Sequence, residues 1–201
     1  GRNSYSKTDE EATFMRMKED HMLNGQLKPG YNIQVGTENN FVIGYDVFPN
    51  PTDTRTFIPH LENVQNRLKC KFKTVIADAG YGSEENYDYL EEKEITGIVK
   101  YPSYEKETKR SFKKKIFNAE NWKYDAEQKE YTCPCGNPVP YKKTVTKKNE
   151  SGYMQTYEVY QCDNCEGCPF RALCTKSEYG RMVQRNEHWL EQKAKVKELL
   201  A

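Results

Sequence analysis

The chain has 201 residues, with 31 Lys and Arg against 30 Asp and Glu and a net charge of +1. Hydrophobic residues make up 36%, charged residues 30%, and 15 residues are Tyr. This describes a wet protein of one domain, or one domain plus a small insert, with aromatic rings to build a core. No apolar run approaches the roughly 20 residues of a membrane span and no signal peptide opens the chain, so a cytoplasmic protein with no membrane partner is expected.

The opening Gly1-Arg2-Asn3, without Met, reads as an excised fragment with a cloning remnant. Thr8-Asp9-Glu10-Glu11 resembles a helix start, with Phe14 and Met17 on one face. Lys28-Pro29-Gly30 then breaks the chain. Tyr31, Ile33 and Val35 alternate with polar residues, Glu38-Asn39-Asn40 turns, and Phe41, Ile43, Tyr45 and Val47 alternate again, so 31–48 is expected as a hairpin of half-buried strands. Pro49-Asn50-Pro51 stops the second strand, and Thr52 or Asp53 can cap a helix with Phe57, Ile58, Leu61, Val64 and Leu68 at helical spacing. Residues 74–77 form a short buried strand. Ser83 caps a helix through about Lys93 with Tyr87 and Leu90 inward, and 95–99 gives another strand. Strands alternating with helices imply a mixed α/β sheet with parallel members.

Composition shifts at Lys100. Residues 100–150 hold 13 Lys and Arg against 7 Asp and Glu, a local net of +6 that leaves −5 for the rest of the chain. This reads as a separate basic insert, and the segment 100–181 also contains six of the seven Cys. A helix from Glu187 to Leu200, with Trp189, Val196 and Leu200 on one side, follows. The expected organisation is a core over 1–99, the insert over 100–181, and the start of a helical return to the core over 182–201.

Asp78 falls at the carboxyl end of a buried strand, where open α/β sheets gather ligands. Gly80 and Gly82 behind it leave a tight turn with no side chain in the way. An Asp there can equally cap the turn or pair with a nearby Lys. Asp46, in the second hairpin strand, reads as a solvated surface residue. His21, His60 and His188 are isolated and carry no assigned role.

Taken together, GYNIQVGTE, FVIGYDVF, the helix, and TVIADAGYGSEENYDYL resemble the DDE-type transposases of bacterial insertion sequences. The Ala-Asp-x-Gly-Tyr core followed by Ser-Glu-Glu-Asn is similar to the stretch that bears that family's second acid. SKTDEEATFMRMKEDHMLNGQLKPGYNIQV resembles the group with a Cys-containing insert. The resemblance covers nearly the whole chain. It implies an RNase H-like fold and two Mg²⁺ or Mn²⁺ ions held by three carboxylates, Asp78 among them, for phosphoryl transfer. The substrate would be double-stranded DNA, cut at element ends and joined to a target by a homo-oligomer in a bacterial cytoplasm. No stretch like the family's first Asp precedes Ser6. Glu187, Glu191 and Glu198 lack the basic surroundings of its Glu, so those two acids are expected outside this chain and the piece alone is expected to be inactive. A hydrolytic nuclease on the same fold, or a non-catalytic DNA-binding or zinc module, would share these features.

Cys133-Pro-Cys135-Gly136 and Cys162-x2-Cys165-x2-Cys168-x5-Cys174 are two knuckle-like clusters separated by a loop, the pattern of a structural tetrahedral zinc site. An iron–sulfur cluster and free thiols are the competing readings. The resemblance suggests Cys133, Cys165, Cys168 and Cys174 as Zn²⁺ ligands, with Cys135 and Cys162 as alternates. Lys109, Arg110, Lys113, Lys114 and Lys115, and later Lys142 and Lys143, interleave with aromatic residues. They are either a solvated face or a surface for DNA phosphates.

Overall fold

The computed structural model describes residues 5–16, 23 and 25–201. It is a mixed α/β structure whose described residues fall into two compact units, one of 1–102 with 199–201 and one of 103–198.

In the first unit, β1 (Thr13–Arg16) pairs antiparallel with β2 (Leu27–Gly30). This replaces the helix expected from Thr8. Asp9 does accept hydrogen bonds from the Glu11 and Ala12 amides at 3.0 and 3.4 Å, but the chain turns there and extends. Thr13 and Phe14 favour strand, and Pro29 sits on a two-stranded edge, where a missing N–H is harmless. Met17 and His21 lie outside the described residues.

The hairpin forms as expected, from β3 (Asn32–Glu38) and β4 (Phe41–Phe48). Asn39 and Asn40 take positive φ of 49° and 66°, the backbone of a two-residue hairpin turn. Its burial is the reverse of the expected one. Ile33, Val35, Tyr45 and Val47 share one face and are 53–63% exposed, while Gln34 on the other face is 2% exposed. The buried face carries the paired glycines Gly36 and Gly44, and α1 (Phe57–Leu68) lies against it. A Cβ on Gly44 would stand 2.6 Å from Val64 Cγ2, so only glycine admits the helix at this distance.

Polar pairing fixes the same contact. The Asp46 carboxylate meets His60 Nδ1 at 2.6 Å and accepts two bonds from Arg67 at 3.0 and 3.1 Å. Its side chain is 13% exposed. Asp46 is therefore not a solvated surface residue and His60 is not isolated. The helix brings two basic side chains to the acid, and a carboxylate taken from water needs such partners.

Thr52 precedes and Asp53 opens a single 3₁₀ turn, Asp53–Arg55, and neither caps α1, whose N-cap is Thr56; Thr56 Oγ1 donates to the Asp53 carbonyl at 2.9 Å. β5 (Thr74–Ala77) and β6 (Thr96–Val99) run parallel, joined through α2 (Glu84–Glu92). Ser83 Oγ caps α2 by accepting from the Asn86 amide at 3.2 Å. Leu61, Val64, Tyr87, Leu90, Ile95 and Val99 are buried and form the core.

The second unit opens with two single turns, α3 (Tyr104–Glu107) and α4 (Arg110–Lys113). Its sheet has five antiparallel strands in the order β11-β10-β9-β8-β7, from β7 (Lys123–Asp125), β8 (Glu130–Thr132), β9 (Pro138–Lys148), β10 (Met154–Gln161) and β11 (Met182–Arg185). A short α5 (Arg171–Cys174) and α6 (Glu187–Leu199) complete it. Trp122, Tyr131, Val139, Tyr160, Cys162 and Val183 form its core. The Tyr131 and Tyr160 rings pack edge-on at 5.1 Å between centroids. On α6, the buried Lys193 ammonium bonds the Glu107 carboxylate, which Lys197 also meets at 3.2 Å. The segment 182–198, expected to return to the core, thus supplies a strand and a helix to the insert's own unit.

Candidate active site

Asp78 follows β5 directly and is exposed at its carboxyl end. Its backbone is extended (φ −75°, ψ 174°), and its Oδ1 accepts from the Gly80 amide at 2.7 Å, capping the 3₁₀ turn Ala79–Tyr81. The plainer role of this residue, a turn cap, is therefore physically present. It uses one carboxylate oxygen.

A second acid shares the spot. Asp53 Oδ1 accepts from Asn32 Nδ2 at 2.8 Å and from Gln34 Nε2 at 3.3 Å. A Cβ built on Gly80 would lie 2.9 Å from Asp78 Oδ1 and 3.0 Å from Asp53 Oδ2. Both carboxylates thus flank one bare position that glycine keeps open. Among the described residues neither acid has a cationic side chain at ion-pair distance.

Hydrogen bonds tie together the frame around them. Tyr81 OH donates to Gln34 Oε1, and the Asn86 amide group donates to the Thr54 and Tyr81 carbonyls at 3.0 and 2.7 Å. Burial first, and then the charges of Asp53 and Asp78, push the Tyr81 phenol up to about 12. Hard carboxylate oxygens around a space free of side chains suit Mg²⁺ or Mn²⁺.

Asp53 was legible in the sequence only as a possible helix cap. No local signal marks it, because its partners Asn32 and Gln34 lie on the hairpin face that alternation alone reads as outward. Asp53→Asn is expected to lower the Tyr81 phenol from about 12 while leaving it above an ordinary tyrosine, because burial remains. Difference titration of tyrosinate absorbance against Tyr81→Phe checks this; an unmoved titration would mean that the two groups do not interact.

In the second unit all six clustered thiols line one cavity with Phe117, Phe170 and Arg181. Gly136 (φ 81°) turns the first knuckle and Gly167 (φ 71°) the second. The Arg181 amide points at Cys165 Sγ at 3.3 Å, and Cys135 and Cys168 Sγ are 3.1 Å apart. The hydrogen bond between those two thiols raises Cys135 to about 11 and lowers Cys168, and burial raises Cys162 to about 12 and Cys174 above its ordinary value. Cys162 is 1% exposed and belongs to the core. Among the described residues no three His, Cys, Asp or Glu are arranged to hold a metal ion. Cys133, Cys165, Cys168 and Cys174 therefore share a cavity without forming a coordination sphere.

Of the basic residues, Lys109 precedes α4, Arg110 and Lys113 lie on it, Lys114 and Lys115 follow it, and Lys142 and Lys143 lie on β9; all are exposed. Among the described residues no helix is long and apolar enough to cross a membrane.

Fold and site define an α/β protein that presents acidic side chains at the carboxyl end of a parallel strand. A model of the family described as the transposase DDE domain matches residues 3–192, and the chain belongs to that family. No curated protein and no solved structure matches it.

Proposed function

We propose that the first unit is part of an RNase H-like core of a DNA transposase that cuts element ends and joins them to target DNA, with Asp78 as one of its catalytic carboxylates. The supporting observation is the exposed Asp78 carboxylate facing Asp53 across Gly80, in a chain of the transposase DDE family. The order of hairpin, helix, strand, helix and parallel strand agrees with that fold. Such a protein works as a homo-oligomer on duplex DNA in the bacterial cytoplasm.

Asp78 and Asp53 would hold the Mg²⁺ or Mn²⁺ ions, which supply activation of the attacking oxygen and charge stabilisation at phosphorus. The chain's own residues do the rest. The Gly80 amide fixes Asp78 Oδ1, and the Asn32 and Gln34 amides fix Asp53 Oδ1. The Tyr81 hydroxyl ties the Asp78 turn to β3. Gly80 leaves room for a phosphate to approach the acids.

Substituting Fe²⁺ with a mild reductant makes hydroxyl radicals at a bound ion. Mass spectrometry is expected to find peptide cleavage beside Asp78 and Asp53 that disappears in Asp78→Asn. Cleavage that persists in that variant would remove Asp78 from the site. A joined DNA product separates this reading from a hydrolytic nuclease.

Six thiols lining one cavity are the chemistry a thiophilic metal takes, and zinc on Cys133, Cys165, Cys168 and Cys174 is the proposed occupant, its binding drawing in sulfurs that do not form a coordination sphere here. Two glycine-turned knuckles and an amide aimed at Cys165 Sγ support it. Thiolate ligands must lose their protons, which the raised Cys174 resists without a metal charge beside it. Elemental analysis of protein prepared under reducing conditions is expected to give about one zinc per chain, as a four-thiolate site requires. A brown protein containing iron, or one with no metal, would end this assignment.

A further inference from the structure

We propose that the free end of the β9–β10 hairpin is a DNA-reading ribbon that enters the major groove of a duplex. This rests on the reading that the protein acts on DNA, and it assigns the contact to residues outside the carboxylate site.

The hairpin outruns its sheet. β8 pairs with β9 only over Pro138–Pro140, and β11 pairs with β10 only over Glu158–Gln161. From Val145 to Lys148, and from Met154 to Tyr157, the two strands pair with each other alone. Four residues of strand project about 13 Å at roughly 3.3 Å each.

Little in the fold calls for that projection. The register puts Thr144, Thr146, Lys148, Met154 and Thr156 on one face and Lys143, Val145, Lys147, Gln155 and Tyr157 on the other. The lysines and threonines are all exposed, and a solvated two-stranded ribbon is marginal on its own. A run of lysines is commonly just a solvated face. Here shape and charge agree on something more specific.

The major groove is about 12 Å wide and admits a two-stranded ribbon. Lys142 and Lys143 lie at the ribbon's root and Lys147 and Lys148 at its tip, so cations stand at both ends; Lys142 Nζ donates to Gln161 Oε1 and Lys147 Nζ to Gln184 Oε1 at 3.3 Å, neutral partners that a phosphate would replace. Of the two acids, Glu158 is engaged by Lys129 at 3.5 Å and by the Tyr160 hydroxyl, and Glu150 lies in the turn. Lys147 is pre-ordered over the Tyr157 ring at 5.1 Å. Threonine and glutamine side chains between the lysines are short enough to let the backbone approach, and they offer donors and acceptors to base edges.

The test uses the whole chain and a labelled duplex of random sequence. Binding by fluorescence anisotropy across salt concentrations is combined with dimethyl sulfate protection, which reports guanine N7 in the major groove. The variant Lys143→Gln/Lys147→Gln/Lys148→Gln is compared with Lys113→Gln/Lys114→Gln/Lys115→Gln. For the ribbon variant the salt slope is expected to fall by about 0.9 for each phosphate that is no longer neutralised, and N7 protection to vanish. The α4 variant is expected to keep the protection. Unchanged circular dichroism and an unchanged urea midpoint would show that the ribbon variant is folded. DNA binding by the parent with no N7 protection, protection of adenine N3 instead, or a ribbon variant that keeps slope and protection would overturn the ribbon while leaving the transposase reading intact. No DNA binding by the parent chain would overturn both.

Discussion

Asp78→Asn in the intact protein carrying this domain is expected to leave the fold unchanged and to lower end cleavage and joining by about 10³-fold or more, the scale of losing a group that acts on transition-state charge. The substitution keeps size and shape. The amide it introduces can still accept from the Gly80 N–H through its carbonyl oxygen, so the turn cap at 2.7 Å persists. It removes the charge that a divalent cation requires. A purely structural Asp78 would give the reverse pattern: nearly full activity and, in Asp78→Ala, a loss of about 1 kcal/mol from the missing cap. Measuring joined product and urea midpoint on both variants separates the two roles. Near-normal joining by Asp78→Asn would remove it from the catalytic set.

The order of elements in the first unit was legible because each is marked by local chemistry. Asn39-Asn40 supplies the positive-φ turn, Ser83 supplies a cap, and Leu61, Val64, Tyr87 and Leu90 fall at helical spacing. Which face of the hairpin is buried was not legible. Alternation says that a strand has two faces, and hydrophobicity chose Ile33 and Val35 as the inner one. The structure instead buries the face of Gln34 and seats α1 on Gly36, Gly44 and Asp46, because the glycines make room and Asp46 finds His60 and Arg67. Long-range ion pairs of this kind leave no periodic trace.

The same limit applied to the site. Asp78 announced itself by its position after a strand. Asp53 is distant in sequence and meets it only through the Gly80 turn. In the basic segment, charge and cysteine spacing were readable. The five-stranded sheet was not, since Pro138, Pro140 and the lysines dilute the strand pattern of β9. The tyrosines that hold it, Tyr131 and Tyr160, pack through tertiary contacts alone.

Gly82→Ala and Gly80→Ala, two residues apart, are expected to fail in opposite ways. Gly82 has an ordinary backbone (φ −68°, ψ 109°), so no conformational rule demands glycine there. Space does. A Cβ would stand 2.4 Å from the Lys100 carbonyl oxygen, 2.8 Å from Tyr101 Cα and 2.8 Å from Tyr87 Oη. Two of these are backbone atoms of a buried segment and cannot swing aside. The strain should cost about 3 kcal/mol, the upper part of the usual range for overpacking, against a gain of under about 1 kcal/mol from a stiffer unfolded chain. In a unit of this size that lowers the melting temperature by roughly 10 °C. At Gly80 the atoms in the way are carboxylate oxygens at 2.9 and 3.0 Å, the far ends of the Asp78 and Asp53 side chains. They can rotate, so Gly80→Ala should cost no more than the turn cap that Asp78 Oδ1 gives up, about 1 kcal/mol. The rotation parts the two acids, and Fe²⁺-directed cleavage and DNA joining should both fall sharply. Calorimetry on the two variants, set beside those assays, decides it. A stable Gly82→Ala protein, or a fully active Gly80→Ala protein, would mean that the ADAGYG turn is held by something other than these contacts.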